Sequence, residues 1–461
     1  SMTVIAVDPY SLEVLGLANL PNFNPNNYWD FTDQNVFKNH ALVSTYEPGS
    51  TFKIVTLAGA AQEGLFHPEA TYESGRLKVP GTTIRDHNNG QGWGKITFLE
   101  GLKRSSNVAF VKLGYEGLQE DRLRKYITDF GFGTKTNIGL QGELAGDIDF
   151  QYPSEIATAT FGQGVTVTPI QQITAVSAIA NGGKLMWPHL VREVVDQEET
   201  NKVITAIQPK EIKQVISKKT AQDVRGYLEQ VVSDRKIGTG RNAYIEGYRV
   251  AGKTGTAQKV ENGKYSDDKW VVSFIGFAPV DNPKIVVCII VDEPDLQGDS
   301  NGASMVSGPL FKEVVTKSLR YMEVPATAKQ GATAIKWASE KAIVPELTNL
   351  SASEAESKLN AKKLKYEILG KGKKVLKQYP DPEDETGIEQ MIYLITDDID
   401  TIKFPDLTGK ALRDAIEVCS LLEVTCKASG EGYVSSQTVL GAVNNRSVLL
   451  KLVPISRVKL E

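Results

Sequence analysis

Apolar residues recur at helical spacing in two segments of the first half of the chain. One segment runs from Ser50 to about Glu63, directly after the turn signal Pro48-Gly49. Serine is a favoured residue at a helix N-cap, so Ser50 is expected at or near the start of this helix. A second apolar helix is predicted over 168–180, with a proline in its first turn and the stop signal Asn181-Gly182-Gly183 after it.

Strand-like patterns open and close the same part of the chain. An apolar run follows the N-terminus, and three further runs cover 248–252, 270–278 and 284–292. Turn-rich segments, including 261–268, link these last three runs, a pattern typical of an antiparallel meander. Residues 1–322 are therefore predicted to form one α/β (α+β) domain with helices and an antiparallel sheet.

An internal repeat occupies the C-terminal part of the chain. The string Val344-Pro345-Glu346-Leu347-Thr348 recurs sixty positions later as Phe404-Pro405-Asp406-Leu407-Thr408. Each copy shows an extended start, an amphipathic helix and strands separated by turns, so two small α+β modules are predicted. Repeats of this size usually form tandem binding modules, and neither copy holds a set of catalytic side chains. The predicted segments are a linker over 323–342 and modules over 343–400 and 401–461.

Composition narrows the classes of function. The 461 residues are 41% hydrophobic and 23% charged, which is ordinary for a globular protein. The net charge of −4 is nearly balanced and argues against a nucleic-acid partner. No apolar run approaches the length of a membrane span. Because Ser1-Met2 resembles an expression scar, we interpret the chain as a fragment that lacks a native signal or anchor.

Cysteine and histidine residues are few and do not have metal-ligand spacing. The four histidines are scattered, so neither a metal site nor a cofactor is predicted. Cys288 lies in a continuous apolar run and is expected to pack in a buried strand. Cys419 and Cys426 are seven positions apart, and their spacing leaves open whether they form a disulfide.

Three short motifs carry the catalytic prediction. They are Ser50-Thr51-Phe52-Lys53, Ser105-Ser106-Asn107 and Lys253-Thr254-Gly255-Thr256. Ser-x-x-Lys is weak alone, since it also begins at Ser233, Ser266 and Ser456, and each motif by itself is more often a helix cap or a turn. The string Lys236-Ile237-Gly238-Thr239 is a near-copy of the third motif that lacks the hydroxyl after the lysine. Together and in this order, the three motifs indicate a serine acyl-transferase that reacts with penicillin.

The residue types account for the chemistry that such an enzyme needs. Three positions apart on a helix, Ser50 and Lys53 share one face as nucleophile and base. An ordinary lysine has a pKa of about 10.4, so keeping it neutral at pH 7 costs roughly 4.6 kcal/mol. Burial beside a second cation, Lys253, would lower that cost. Ser105 would relay a proton to the leaving amine, and Asn107 would hold Lys53 and the substrate amide.

The third motif is predicted to bind the substrate. It follows a strand-like run, and an edge strand there would pair with an extended peptide. Thr254 and Lys253 would hold a substrate carboxylate, while Gly255 would let the backbone approach closely. The backbone N–H groups of Ser50 and Thr256 would form the oxyanion hole.

The large domain resembles the transpeptidase domain of class B penicillin-binding proteins. The resemblance extends beyond the three motifs to Gly162-Gln163-Gly164, Thr168-Pro169-Ile170-Gln171 and Ala180-Asn181-Gly182-Gly183. The two repeats resemble PASTA modules. The first fits better because it contains Gln378-Tyr379-Pro380, whereas the second has Gln437-Thr438-Val439 and lacks the proline.

The resemblance implies a fold, a reaction and a location. The fold would be that of penicillin-binding transpeptidases and serine β-lactamases, and the reaction a D,D-transpeptidation in septal cell-wall synthesis of a low-GC Gram-positive bacterium. Ser50 would attack the penultimate D-Ala of a peptidoglycan stem peptide, and β-lactam antibiotics would acylate the same serine. The native protein would be anchored on the outer face of the cell membrane among divisome proteins.

Other functions are compatible with the same motifs. A sporulation-specific relative would share the chemistry, and a D,D-carboxypeptidase or β-lactamase would pass the acyl group to water instead of an amine. A non-catalytic β-lactam or wall-binding sensor would be acylated without cross-linking. Chain length and the tandem repeats favour the transpeptidase, although the motifs do not identify the acceptor amine.

Overall fold

The chain forms two compact units, residues 1–335 and 336–461, in a computed structural model. The structure describes residues 1–196, 202–261, 264–295, 303–326, 341–387, 391–397, 402, 404–410, 412–429, 433–440 and 447–453. The last helix of the first unit ends at Tyr321, and most of the predicted linker, residues 327–340, lies outside the described residues. Within the described residues, no helix has both the length and the apolar character required to cross a membrane.

Groups of strands and groups of helices follow one another through the first unit, which has a mixed α and antiparallel β architecture. Its helices are α1 His40–Val43, α2 Lys53–Gln62, α3 Phe98–Lys103, α4 Asn107–Val111, α5 Gln119–Asp129, α6 Pro153–Ala159, α7 Pro169–Ala180, α8 Lys218–Ser233 and α9 Ala303–Tyr321. Its strands are β1 Met2–Val7, β2 Val14–Leu20, β3 Thr71–Glu73, β4 Arg76–Val79, β5 Thr82–Arg85, β6 Lys95–Thr97, β7 Lys184–Met186, β8 Glu193–Asp196, β9 Lys202–Ala206, β10 Glu211–Gln214, β11 Ala251–Glu261, β12 Lys264–Ala278 and β13 Ile285–Asp292. This combination confirms the predicted fold class.

A five-stranded antiparallel sheet forms the centre of the unit, in the order β11-β12-β13-β1-β2. Cys288 lies in the middle of β13, opposite Ile5 on one side and Ile275 on the other, and is buried as predicted. Burial raises the pKa of its thiol to about 12, so this cysteine is chemically inert at neutral pH.

The third motif lies inside a strand, which corrects the prediction that it follows one. The predicted strand at 248–252 begins only at Ala251, and β11 runs through Lys253 to Glu261. The segment expected to be a turn, 261–268, is largely the start of β12. Because β12 covers only one side of β11, the other side of β11 is an edge of the sheet.

The helix predicted over 168–180 is confirmed as α7. Thr168 is its N-cap, where its Oγ1 accepts a hydrogen bond from Gln171 N at 3.3 Å while Gln171 Oε1 accepts one from Thr168 N at 2.9 Å. All residues of this helix are buried, which explains an apolar pattern that continues around its circumference. Asn181 follows as the C-cap.

The second unit repeats one small α+β pattern. Its first copy contains β14 Lys341–Ile343, α10 Ala352–Ala361, β15 Lys365–Leu369, β16 Lys377–Tyr379, β17 Glu385–Gly387 and β18 Met391–Ile395. Its second copy contains α11 Leu412–Leu421, β19 Thr425–Ser429, β20 Tyr433–Leu440 and β21 Ser447–Val453. In each copy the last strand pairs parallel with the strand after the helix and antiparallel with the intervening strand.

One glutamine has the same structural role in both copies. Gln378 accepts a hydrogen bond from Leu347 N at 2.7 Å and donates to Pro345 O at 3.1 Å. Gln437 accepts from Leu407 N at 2.7 Å and donates to Pro405 O at 2.8 Å. Each glutamine therefore holds the extended start of its copy through the backbone of the Pro-x-Leu string.

A disulfide joins Cys419 of α11 to Cys426 of β19. The spacing of the two cysteines in the sequence left this pairing open. The short connection between α11 and β19 brings them together. Gly370 and Gly430 occupy matching positions of the two copies, sixty residues apart, and Gly430 lies outside the described residues.

Candidate active site

Ser50 lies on a tight turn just before helix α2. The turn is a single 3-10 segment, Gly49–Thr51, and α2 begins at Lys53. Ser50 is therefore near the helix start as expected, but Phe52 occupies the N-cap position and no side chain caps the helix. The Ser50 hydroxyl makes no capping bond to this helix.

Close packing against neighbouring backbone holds this turn in place. Gly49 has a φ of +53°, and its N–H donates to Gly162 O at 3.0 Å. A Cβ on Gly49 would lie 2.8 Å from Thr256 O, and one on Gly255 would lie 2.9 Å from Pro48 O. Gly255 thus lets β11 pack against the turn that carries Ser50. A glycine is required at this position by packing within the protein itself.

Lys53 lies fully buried at the floor of the site. Its ammonium donates hydrogen bonds to Ser105 O at 2.7 Å, to Asn107 Oδ1 at 2.8 Å and to Ser105 Oγ at 3.3 Å. The rings of Phe110 and Phe161 lie 5.4 and 5.9 Å from the same nitrogen. The lysine is therefore held in one position within a largely apolar wall.

Ser105 connects the two lysines of the site. Its Oγ accepts from Lys253 Nζ at 2.9 Å as well as from Lys53 Nζ at 3.3 Å. Its φ of +59° places it in the left-handed region, which is uncommon for a residue other than glycine and typical of constrained functional positions. Asn107, two residues on, donates to Arg85 O at 3.0 Å and is thereby oriented toward Lys53.

Both lysines lose their protons more readily than a lysine in water. Burial is the main cause of the low pKa of Lys53, the nearby charge of Lys253 lowers it further, and Asp86 opposes the shift. Burial lowers the pKa of Lys253 to about 7. A neutral Lys53 able to accept a proton is therefore compatible with this site.

The stability of the protein should depend on the ionisation of Lys253. Its pKa of about 7 in the folded protein lies below the value of about 10.4 expected in the unfolded chain. Between these values the unfolded chain binds a proton that the folded protein lacks, so the free energy of unfolding rises by about 1.4 kcal/mol per pH unit. Chemical denaturation at several pH values in this window should show a steeper rise for wild type than for Lys253→Met; equal slopes would contradict the assignment.

Asp86 is a buried carboxylate that the motifs did not reveal. Its Oδ1 accepts from Ser106 Oγ at 2.8 Å and from Val108 N at 3.0 Å, and its Oδ2 accepts from Gly75 N at 2.8 Å. These bonds fix the start of α4, which carries Asn107. An acidic residue beside the histidine at position 87 has no sequence signal of its own, because its partners are distant in the chain.

Replacing Asp86 should destabilise the protein markedly. Asp86→Ala would leave three buried donors without an acceptor, so we expect the free energy of unfolding to fall by about 3 kcal/mol. Asp281→Ala is the matched control, since Asp281 forms an exposed ion pair with Arg249 whose loss should cost about 1 kcal/mol or less. Urea denaturation of both variants would measure the difference, and equal losses would contradict the structural role given to Asp86.

A cleft of about 600 Å³ opens above these residues. Ser50, Ser105, Asn107, Thr254 and Thr256 line it, whereas Lys53 and Lys253 are fully buried and are not among its lining residues. Sequence reasoning missed several wall residues that belong to no motif, namely His87, Trp93, Arg104, Phe161, Arg241 and Trp270.

The near-copy of the third motif also contributes to the wall. Lys236, Ile237 and Thr239 all line the cleft, although the missing hydroxyl had made this string look accidental. The string reaches the cleft because it lies in the loop between α8 and β11. Its similarity in sequence to the third motif does not account for this location. The described residues contain no cluster of three or more His, Cys, Asp or Glu side chains suited to a metal ion.

Two family profiles match the chain. The penicillin binding protein transpeptidase domain matches residues 2–316, and the PASTA domain matches residues 342–397. These matches cover the first unit and the first copy of the repeat, and the identity of the second copy as a PASTA module stays a prediction.

Curated relatives and solved structures agree with the profiles. The stage V sporulation protein D of Bacillus subtilis is 42% identical over 86% of this chain and 61% of its own length. The probable peptidoglycan D,D-transpeptidase PbpC of Pseudomonas aeruginosa is 31% identical over 73% of this chain and 56% of its own length. The chain thus spans little more than half the length of such relatives.

A solved structure supports the fold. Penicillin binding protein 3 from Mycobacterium tuberculosis, complexed with aztreonam, aligns with a TM-score of 0.65 and 31% identity over 71% of this chain and 74% of that chain. The fold, the clustered motifs and the profile match over most of the chain lead to one assignment. This chain belongs to the penicillin-binding protein transpeptidase family and carries a PASTA domain.

Proposed function

We propose that this chain is a serine-type peptidoglycan D,D-transpeptidase that works through an acyl-enzyme on Ser50. One observation carries the proposal: two buried lysines meet at the Ser105 hydroxyl, directly below a cleft that exposes Ser50. This arrangement supplies a nucleophile, a base and a proton relay around one cleft.

In the acylation step, Ser50 Oγ attacks the carbonyl carbon of the penultimate D-Ala of a stem peptide. Neutral Lys53 takes the hydroxyl proton, and the backbone N–H groups of Ser50 and Thr256 stabilise the oxyanion. The C–N bond then breaks, and Ser105 delivers a proton to the departing D-Ala while Lys253 supplies one to Ser105. Their separation of 2.9 Å is suited to that transfer.

In the second step, an acceptor amine attacks the ester carbonyl on the side that the D-Ala left. A new C–N bond forms, the ester bond to Ser50 Oγ breaks, and the amine proton returns to Ser50 through the same groups. The edge of β11 supports donor binding, because its free side can pair with an extended peptide. Thr254 and Lys253 would hold the terminal carboxylate.

β-Lactams would acylate Ser50 in place of a stem peptide. The relative from Mycobacterium tuberculosis has been solved in complex with aztreonam. For this chain the same reaction follows from the proposed acyl-enzyme and from the match of the family profile.

The biological setting belongs to the proposal as well. A septal, divisome-associated role on the outer face of the membrane would fit the family, with the two C-terminal modules binding the wall or a partner. The 42% identity to a stage V sporulation protein supports a second candidate, a sporulation-specific transpeptidase. Both settings use the same chemistry at Ser50.

A cross-linking assay tests the proposed reaction. A donor peptide ending in D-Ala-D-Ala and an acceptor amine should yield free D-Ala and a cross-linked product, detected by mass spectrometry. Release of D-Ala with hydrolysis as the only outcome would indicate a carboxypeptidase, and fast turnover of penicillin would indicate a β-lactamase. Stable acylation without either product would indicate a sensor.

A further inference from the structure

The loop between α8 and β11 forms part of the cleft wall, and the proposed mechanism gives it no role. Its first turn, which contains the near-copy motif, is built around Asp234. The carboxylate accepts from Lys236 N at 3.0 Å and from Ile237 N at 3.2 Å, and it pairs with Lys103 Nζ at 3.3 Å. These contacts therefore hold the first turn of the loop in a defined conformation.

The same loop lies on the Ser105 side of the cleft. Thr239 N donates to Lys103 O at 3.0 Å, and Lys103 precedes Ser105 by only two residues. In the proposed reaction, Ser105 delivers the proton to the leaving amine. The loop consequently borders the place that the leaving amine vacates and the acceptor amine enters.

Two cations of this loop face the cleft without a carboxylate partner. Lys236 and Arg241 are exposed and line the cleft, and within the described residues neither side chain forms an ion pair. Arg104, in contrast, pairs with Glu100 at 2.8 Å and lies over the Trp93 ring. No Asp or Glu is among the described residues that line the cleft, so the described part of this wall carries a net positive charge.

We propose that Lys236 and Arg241 form an acceptor subsite that binds a carboxylate close to the attacking amine. The inference rests on the proposed transpeptidase function. Guanidinium and ammonium groups on a fixed loop would orient an amine that carries its own carboxylate. They would also favour the neutral form of the incoming amine, which is the form that attacks an ester. The acceptor class is thus an amino-acid-type amine rather than an uncharged one.

The subsite predicts how the acyl-enzyme chooses between two small acceptors. With a thioester donor peptide, D-alanine and D-alaninamide differ in one carboxylate, and the ratio of their aminolysis rates measures its recognition. We expect the wild type to prefer D-alanine. In the Lys236→Gln, Arg241→Gln double variant, the ratio of the two rates should fall at least tenfold. Arg241→Lys should retain most of the preference because the charge remains.

Controls separate this inference from the proposed function. Lys210→Gln removes an exposed lysine outside the cleft and should keep the wild-type ratio. If the double variant keeps the wild-type ratio of aminolysis rates, the subsite is overturned. If only the rate of donor acylation falls, the two cations bind the donor, and the subsite is overturned as well. If penicillin acylates the wild type but neither acceptor reacts with its acyl-enzyme, the subsite is also overturned. If penicillin does not acylate the wild type, the proposed function itself is refuted.

Discussion

Ser50→Ala is expected to abolish covalent labelling of the protein by fluorescent penicillin. The serine oxygen is the atom that would form the acyl bond, and alanine offers no substitute, so the loss should be complete rather than partial. Ser50 lies in the cleft above Lys53, and its turn is held by backbone contacts that alanine preserves. Gel fluorescence and intact mass would measure the label, and peptide mapping should place the wild-type adduct on Ser50.

Two other Ser-x-x-Lys quartets provide matched controls for this experiment. Ser233 ends helix α8 at the surface, and Ser266 Oγ donates to Asp268 at 2.7 Å in an exposed part of β12. Ser233→Ala and Ser266→Ala should therefore be labelled like wild type. Labelling that persists in Ser50→Ala, or that disappears in either control, would refute the assignment of the nucleophile.

Lys53→Ala is expected to slow acylation by penicillin by about 10²–10⁴-fold, the usual contribution of a general base. Lys253 contacts Ser105 and Thr254, which in the proposed mechanism gives it the separate role of supplying a proton to Ser105. Lys53→Arg should be equally slow, since a guanidinium stays protonated at any working pH. The second-order rate constant for acylation would be measured with labelled penicillin, after circular dichroism has shown that each variant is folded.

Lys112→Ala is the control for this second variant. Lys112 forms a surface ion pair with Glu116 at 3.3 Å and lies outside the cleft, so its loss should leave the acylation rate near that of wild type. A Lys53→Ala protein that is acylated at a near-normal rate would remove Lys53 as the base. The proton would then have to pass directly through Ser105.

Elements with strong local patterns were predictable from sequence. The helix over 168–180 matched α7 almost to the residue, because its cap and its stop signal are local and its whole surface is apolar. For the third motif, the strand was predicted over 248–252, whereas β11 begins at Ala251 and continues to Glu261. Gly252 and Gly255 weaken any strand pattern, and only pairing with β12, Lys253 opposite Ile275, makes this segment extended.

The site itself was predictable only in part. The motifs named Ser50, Lys53, Ser105, Asn107 and Lys253, and the structure brings these residues together around one cleft. Asp86 and Arg241 were missed, since neither belongs to one of the three motifs and both reach the site through segments far apart in sequence. The cysteine pair was left open for the same reason.

The order and spacing of three motifs were enough to name a reaction class, because Ser50 and Lys53 are close in the chain and stay neighbours across the turn that leads into α2. Tertiary structure decided what those residues can do. It buried two lysines beside one serine hydroxyl, lowering the pKa of both, and it placed β11 at the edge of the central sheet. Desolvation and charge proximity depend on segments that meet only in the folded chain, and no local pattern encodes them.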